Sequence, residues 1–248
     1  MLTHPTLDQL RQLGLAGMAR AFEELAASPR GAELDHAEWL GLLLDRELAD
    51  RQDRRLKARL RYARLRHSAA VEDVDYRTCR GLDRVLFQKL AFCGWIEAKQ
   101  NLVIEGPTGV GKSWLACALG PRACRDNHPV LYQRIPRLFA DLALARGDGR
   151  YARLMRALGG VKLLILDDWG LEPLGPEQRR DLLEIVEDRY GRGATLITSQ
   201  VPVDRWHDLI GDPTLADAIL DRIIHNAHRI QLRGESLRRK RAPEADMA

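Results

Sequence analysis

The sequence predicts an α/β fold in which a parallel sheet lies between helices, preceded by a small all-helical region. Two observations carry this. Short apolar runs at 102–104, 130–132, 161–166, 194–198 and 229–232 alternate with helical stretches at 112–125, 136–145, 150–158, 176–190 and 214–225. Strands that alternate with helices form parallel sheets buried on both faces. Residues 1–70, by contrast, show only helical periodicity.

In that first region, Thr6-Leu7-Asp8-Gln9 fits a capping box, and Leu10, Leu13, Met18, Phe22 and Leu25 come after it at helical spacing. Ser28-Pro29-Arg30-Gly31 interrupts the pattern. Asp35 and Glu38 begin a long helix whose apolar stripe is Leu40, Leu44, Leu48, Leu56 and Leu60. Its second half is strongly basic. Arg51, Arg54, Arg55, Lys57, Arg59, Arg61, Arg64 and Arg66 stand against one aspartate, so residues 51–66 carry +7. Such a row either tracks a nucleic-acid backbone, neutralising phosphates, or is the solvated face of a long helix.

A polar connector at 67–80 and a helix at 81–93 lead to the first strand, which places a domain boundary near residue 70. Glycines and prolines at 120–121, 147–149, 159–160, 173–176, 191–193 and 211–213 punctuate the rest of the chain.

Directly after Leu102–Ile104 comes Gly106-Pro107-Thr108-Gly109-Val110-Gly111-Lys112-Ser113, a full match to G-x-x-x-x-G-K-[ST] between a strand and a helix. Glycines let successive N–H groups converge on one concavity, and the helix N-terminus adds partial positive charge. Lys112 is the residue type that reaches the β- and γ-phosphates of a nucleotide, and the Ser113 hydroxyl is a ligand for Mg2+. The second decisive stretch is 161-VKLLILDDWG-170, a buried strand ending in two carboxylates. Asp167 would hold Mg2+ and Asp168 would orient the attacking water; otherwise the pair merely starts a turn. Thr198, Ser199 and Gln200 end the next strand beside them, where Gln200 either senses the γ-phosphate or satisfies the strand end. Arg222 either reaches a neighbouring subunit's γ-phosphate or pairs with a carboxylate of its own subunit. His225 and His228 lack a third ligand nearby and read as structural.

The net charge of +4 conceals an uneven distribution: +7 in 51–66 and +4 in 238–241, leaving −7 elsewhere. Basicity concentrated on an acidic body suggests a polyanion partner. The four cysteines form no C-x-x-C, which suits free thiols in a reduced compartment. With no secretory segment and no apolar run of transmembrane length, the expectation is a cytoplasmic protein without a membrane partner.

GPTGVGKSWLACAL, LLILDDWG, ITSQVPVDRWHDLIGDPTLADAILDRIIHNAHRI and GESLRR together resemble the AAA+ P-loop NTPases, and more narrowly the IstB family of transposition helper proteins. Helicase loaders of the DnaC type are the nearest relatives by pattern. The resemblance covers nearly the whole chain. It implies a helical N-terminal DNA-binding and assembly domain at 1–70, a AAA+ ATP-binding domain at 71–236 and a basic, disordered tail at 237–248. It also implies a homo-oligomer on double-stranded DNA that hydrolyses ATP with Mg2+ and stimulates the transposase of its own mobile element. Contacts would be to DNA backbone and shape rather than to base sequence. In that pattern Gly106–Ser113 bind phosphate, Asp167 binds the metal, Asp168 is the catalytic acid, Gln200 is the sensor and Arg222 the arginine finger; Arg238 is a weaker candidate for a second sensor. The chain departs from the general pattern in three ways: Asp168 replaces Glu, Gln200 replaces Asn, and residues 233–248 are too few for a helical lid. The alternatives are a helicase loader and an ATP-binding DNA switch that hydrolyses negligibly.

Overall fold

The computed structural model describes residues 4–237. Arg238, the 238–241 basic cluster and the expected tail therefore lie outside the described residues. By its contacts the chain divides into two units, Met1–Ala58 and Arg59–Ala248. The division falls inside a helix, ahead of the boundary expected near residue 70.

The first unit contains α1 (Pro5–Gln12), α2 (Ala16–Ala26), α3 (Pro29–Glu33) and most of α4 (His36–Ala63). The capping box expected at Thr6 does not form; His4 caps α1 instead, because Pro5, whose φ is already helical, takes the first position. The interruption expected at 28–31 is present at its start: α2 ends at Ala26, Ser28 is extended, and Pro29 opens the separate short helix α3. At α4 the expected box is present: Asp35 Oδ1 accepts from the Glu38 N–H at 2.8 Å and Glu38 Oε2 from the Asp35 N–H at 3.1 Å. The buried Glu47 of α4 accepts the Gly17 and Met18 N–H groups at 2.8 and 3.2 Å, filling orphan donors at the start of α2. Leu43 shares that buried side, whereas Leu40, Leu44 and Leu48 are exposed, so the expected apolar stripe is not the face that packs.

The second unit is built on a five-stranded, wholly parallel sheet in the order β2-β3-β4-β1-β5. The strands are β1 (Asn101–Glu105), β2 (Val130–Arg134), β3 (Leu163–Trp169), β4 (Ala194–Ser199) and β5 (Ala227–Gln231). The helix expected at 81–93 is α5 (Arg84–Ala91), started by the Asp83 side chain, then α6 (Gly94–Glu97) after a left-handed Cys93. Between the strands lie α7 (Lys112–Arg125), α8 (Ile135–Gly147), α9 (Tyr151–Gly160), α10 (Pro176–Arg189), α11 (Trp206–Ile210) and α12 (Pro213–Ile224). α7 matches the helix expected over 112–125, so Gly120-Pro121 lie inside it rather than at a boundary.

Successive residues of a strand face opposite sides. Val103, Leu164, Leu166 and Ile197 pack with α8 to α12 in one core that also holds Trp169 against Trp206, ring centroids 5.2 Å apart. Leu115, Ala116, Cys117 and Leu119 of α7 are fully or almost fully buried, and α7 packs on β1 to β4. Among the described residues no helix comes after β5, and no helix is long and apolar enough to cross a membrane.

Candidate nucleotide site

Parallel strands deliver their C-terminal ends to one edge, where α/β sheets bind ligands. The loop after β1 stands on that edge. Gly106 and Gly109 have φ of +149° and +86°, and a Cβ at either would collide, with the Leu232 carbonyl and with Ser236 respectively. Only glycine permits both this backbone and this approach. Lys112 Nζ donates to the carbonyls of Gly106 at 2.7 Å and Pro107 at 2.8 Å, so the ammonium is held over its own loop. A cavity of about 460 Å3 opens here, with Thr108, Lys112, Ser113, Asp168 and Gln200 on its wall.

Asp167 ends the run of buried β3 residues. It is fully buried and accepts hydroxyl hydrogen bonds from Thr198 and from Tyr132, the latter at 2.5 Å. Burial, then the Asp167 carboxylate, raises the Tyr132 phenol, so it stays a donor. The β3–β4 register slips between Leu166 and Trp169, and Asp168 takes φ +63°. That bulge separates the fates of adjacent carboxylates: Asp167 stays inside, while Asp168 meets Arg134 at the end of β2. Both Nε and Nη2 of Arg134 lie 2.8 Å from Asp168 Oδ2, and this bond holds the guanidinium above its ordinary range. Asp168 N–H donates to Thr198 Oγ1 at 3.1 Å.

The donor set suits Mg2+. It takes hard oxygen ligands from one or two side chains and the rest from phosphates and water; Ser113 and Asp167 carry oxygens of that kind. Among the described residues no group of three or more His, Cys, Asp or Glu is placed to hold a metal by itself.

The remaining expected residues are not all brought to this cavity. Gln200 Oε1 accepts from the Thr108 hydroxyl at 2.6 Å, which places the amide against the phosphate loop. Arg222 does not enter the cavity. Its Nη2 pairs with Glu187 at 3.0 Å and its Nη1 donates to the Ala218 carbonyl at 2.8 Å. Asn101, first residue of β1, donates to the Arg222 and Ile223 carbonyls, fixing the end of α12 at the strand end opposite the loop. The basic row also divides. In the first unit Arg51 pairs with Glu47 and Arg54 with Glu47 and Asp50, so these two have acidic partners on the preceding turns. Arg55, Lys57 and Arg61 are exposed. Arg66 is found in the cavity wall, 3.8 Å from both Asp167 and Asp168.

Four contributors were not expected from sequence: Tyr132, Arg134, Arg80 and Thr198 as a partner of Asp167. Arg80 is buried, donating to the Val110 carbonyl at 3.2 Å beneath the phosphate loop, with its Nε unpartnered. No sequence signal marks Arg134: β2 ends in polar residues, but only the strand order places it beside the aspartates.

Residues 8–245 match the family described as IstB-like ATP binding protein. The chain is 69% identical to an insertion-sequence ATP-binding protein of Sinorhizobium fredii, over 96% of this chain and 98% of that one. It is 33% identical to the IS21 ATP-binding protein of Pseudomonas aeruginosa, over 95% and 89% respectively. Among solved structures DnaI is similar at a TM-score of 0.58 and 23% identity, covering 66% of this chain and 91% of DnaI. At that identity the likeness speaks for the fold alone.

Proposed function

The chain belongs to the IstB-like ATP-binding family, and on that premise we propose that it is an ATP-hydrolysing, DNA-binding helper of insertion-sequence transposition. It assembles as a homo-oligomer on duplex DNA in the cytoplasm and stimulates the transposase of the same element, with hydrolysis controlling assembly. The observation that carries the enzymatic part is the meeting of Lys112, Ser113 and Asp168 on one cavity wall, with Asp167 buried behind.

In this reading the loop N–H groups and Lys112 bind the phosphates, while Gln200 orients the terminal one. Mg2+, held by Ser113 and Asp167, supplies charge neutralisation on the phosphate oxygens. Tyr132 and Thr198 fix the rotamer of Asp167. Asp168 accepts the proton of the attacking water once Arg134 releases it. Arg55, Lys57 and Arg61 contact DNA phosphates.

The test is phosphate release by the purified chain with and without duplex DNA. Turnover stimulated by DNA is expected, and a variant with Arg55, Lys57 and Arg61 all changed to Gln should lose the stimulation at about 150 mM salt, the physiological ionic strength. Absence of turnover in either condition would remove the ATPase reading. One observation favours a second reading, an ATP-binding switch without appreciable hydrolysis: Arg134 engages Asp168 Oδ2 with two of its nitrogens, Nε and Nη2.

Arg222 carries the oligomeric part. Its pair with Glu187 is partly exposed and therefore weak, of order 0–1 kcal/mol, so it breaks at little cost when a neighbour's phosphate is offered. Arg222→Ala should abolish turnover yet keep ATP binding, and mixing it with Asp168→Asn should restore some activity through mixed interfaces. A mixture as inactive as its parts would exclude a role in trans.

A further inference from the structure

Arg66 belongs by sequence to the basic row, but its surroundings differ from those of its neighbours. The helix α4 ends at the buried Ala63, and Arg64 at φ +50° reverses the chain. The next residues are fastened to α7, the helix that begins at Lys112. Leu65 packs so closely on Gly120 that a Cβ there would lie 2.8 Å from its side chain. The main chain of Arg66 and His67 lies against the buried Cys117 thiol. Arg66 is thus presented to the cavity from a strap fixed behind the phosphate loop.

Its guanidinium is near two anions without being bonded closely to either. Nη1 is 3.8 Å from Oδ2 of Asp167 and of Asp168, and 40% of the side chain is exposed. The carboxylates have nearer partners: Tyr132 and Thr198 on Asp167, Arg134 on Asp168. By moving, Arg66 gives up two long ion pairs and a contact with the neutral Tyr132 hydroxyl, all of them weaker than a direct bond to a phosphate oxygen. A divalent cation held by Asp167 would repel it, and a phosphate held by Lys112 and Ser113 would attract it. Only a nucleoside triphosphate supplies both a metal and a third phosphate at this end of the cavity.

We propose that Arg66 is a nucleotide-sensing residue that exchanges the Asp167–Asp168 pair for the terminal phosphate of ATP bound to its own subunit, and so separates ATP from ADP. This rests on the proposed ATP site. The strap also joins Arg66 directly to the basic end of α4, so the exchange reports the nucleotide state to the segment proposed to contact DNA.

The test uses the full chain with Mg2+, titrated with ADP and with a non-hydrolysable ATP analogue, for wild type, Arg66→Gln and Arg66→Lys. Arg66→Gln should weaken the analogue about tenfold, the worth of one charge-assisted hydrogen bond. ADP affinity should stay within about twofold, which also verifies folding, and Arg66→Lys should recover part of the loss. Duplex-DNA affinity, measured in both nucleotide states, should differ in wild type and converge in Arg66→Gln. Equal losses for both nucleotides, or no loss for the analogue, overturns the sensing role while leaving the ATP site intact. A wild-type chain that binds neither nucleotide removes the ATP site itself.

Discussion

Replacing Lys112 with alanine should weaken Mg·ATP binding by at least about 100-fold, the equivalent of two charge-assisted hydrogen bonds lost to phosphate oxygens. The structure explains why the effect is concentrated in one atom. The ammonium lies over the loop, held by the Gly106 and Pro107 carbonyls at 2.7 and 2.8 Å. It is already desolvated, with Lys112 only 7% exposed, and can exchange neutral carbonyl acceptors for anionic phosphate oxygens. The glycines cannot compensate, because their N–H groups converge on phosphate only while the loop keeps its shape. Fluorescence titration with a labelled ATP analogue checks this, alongside circular dichroism to establish that the variant is folded. A dissociation constant close to that of wild type would contradict the assignment of the loop.

How much of this site is legible in the sequence depends on whether local sequence or sheet neighbours place the residue. The phosphate loop and the aspartates are local: glycine spacing dictates the first, and a buried strand ending in carboxylates dictates the second. Four of the five strands are legible for the same reason, since each holds a continuous apolar run; β5 (Ala227–Gln231) buries only Ile230 and lacks one. Tyr132 and Arg134 are not, because nothing in the β2 sequence states that β2 lies beside β3. The strand order supplies that neighbour, and with it the ion pair to Asp168. Pro121, ordinarily a helix stop, lies inside α7, and the apolar spacing of 112–125 rather than the proline gives the helix its extent. The stripe Leu40–Leu44–Leu48 misleads in the opposite direction: the spacing is helical, but Glu47, whose carboxylate fills two backbone donors of α2, determines which side of α4 is buried.

Arg222 and Arg189 show how an arginine's surroundings decide its role. Arg222 is half-buried, salt-bridged to an exposed glutamate and able to be recruited. Arg189 is 1% exposed and has no carboxylate among its partners. Its fork instead donates to the Thr195 hydroxyl at 3.0 Å, to the Leu158 and Val161 carbonyls at 2.7 and 3.0 Å, and to the Ala194 carbonyl. Burial without an anion lowers its pKa to about 10, still far above neutrality, so it remains a cation. These acceptors belong to the end of α9 and the start of β4, while Arg189 itself ends α10; Gly193 leaves the room the guanidinium needs.

Arg189→Ala should therefore destabilise the second unit by about 3–5 kcal/mol, combining a cavity with buried carbonyls that lose their donor. Arg189→Lys should fare little better, since one ammonium cannot span acceptors on separate elements as a planar fork does. Urea denaturation followed by tryptophan fluorescence suits the measurement, because Trp169 and Trp206 lie in the core of the same unit. Nucleotide affinity of the fraction that stays folded should be unchanged, as Arg189 stands at the strand ends remote from the phosphate loop. An unfolding midpoint equal to wild type for Arg189→Ala would mean that water replaces the guanidinium without cost, and that the junction of α9, α10 and β4 is held by apolar packing alone.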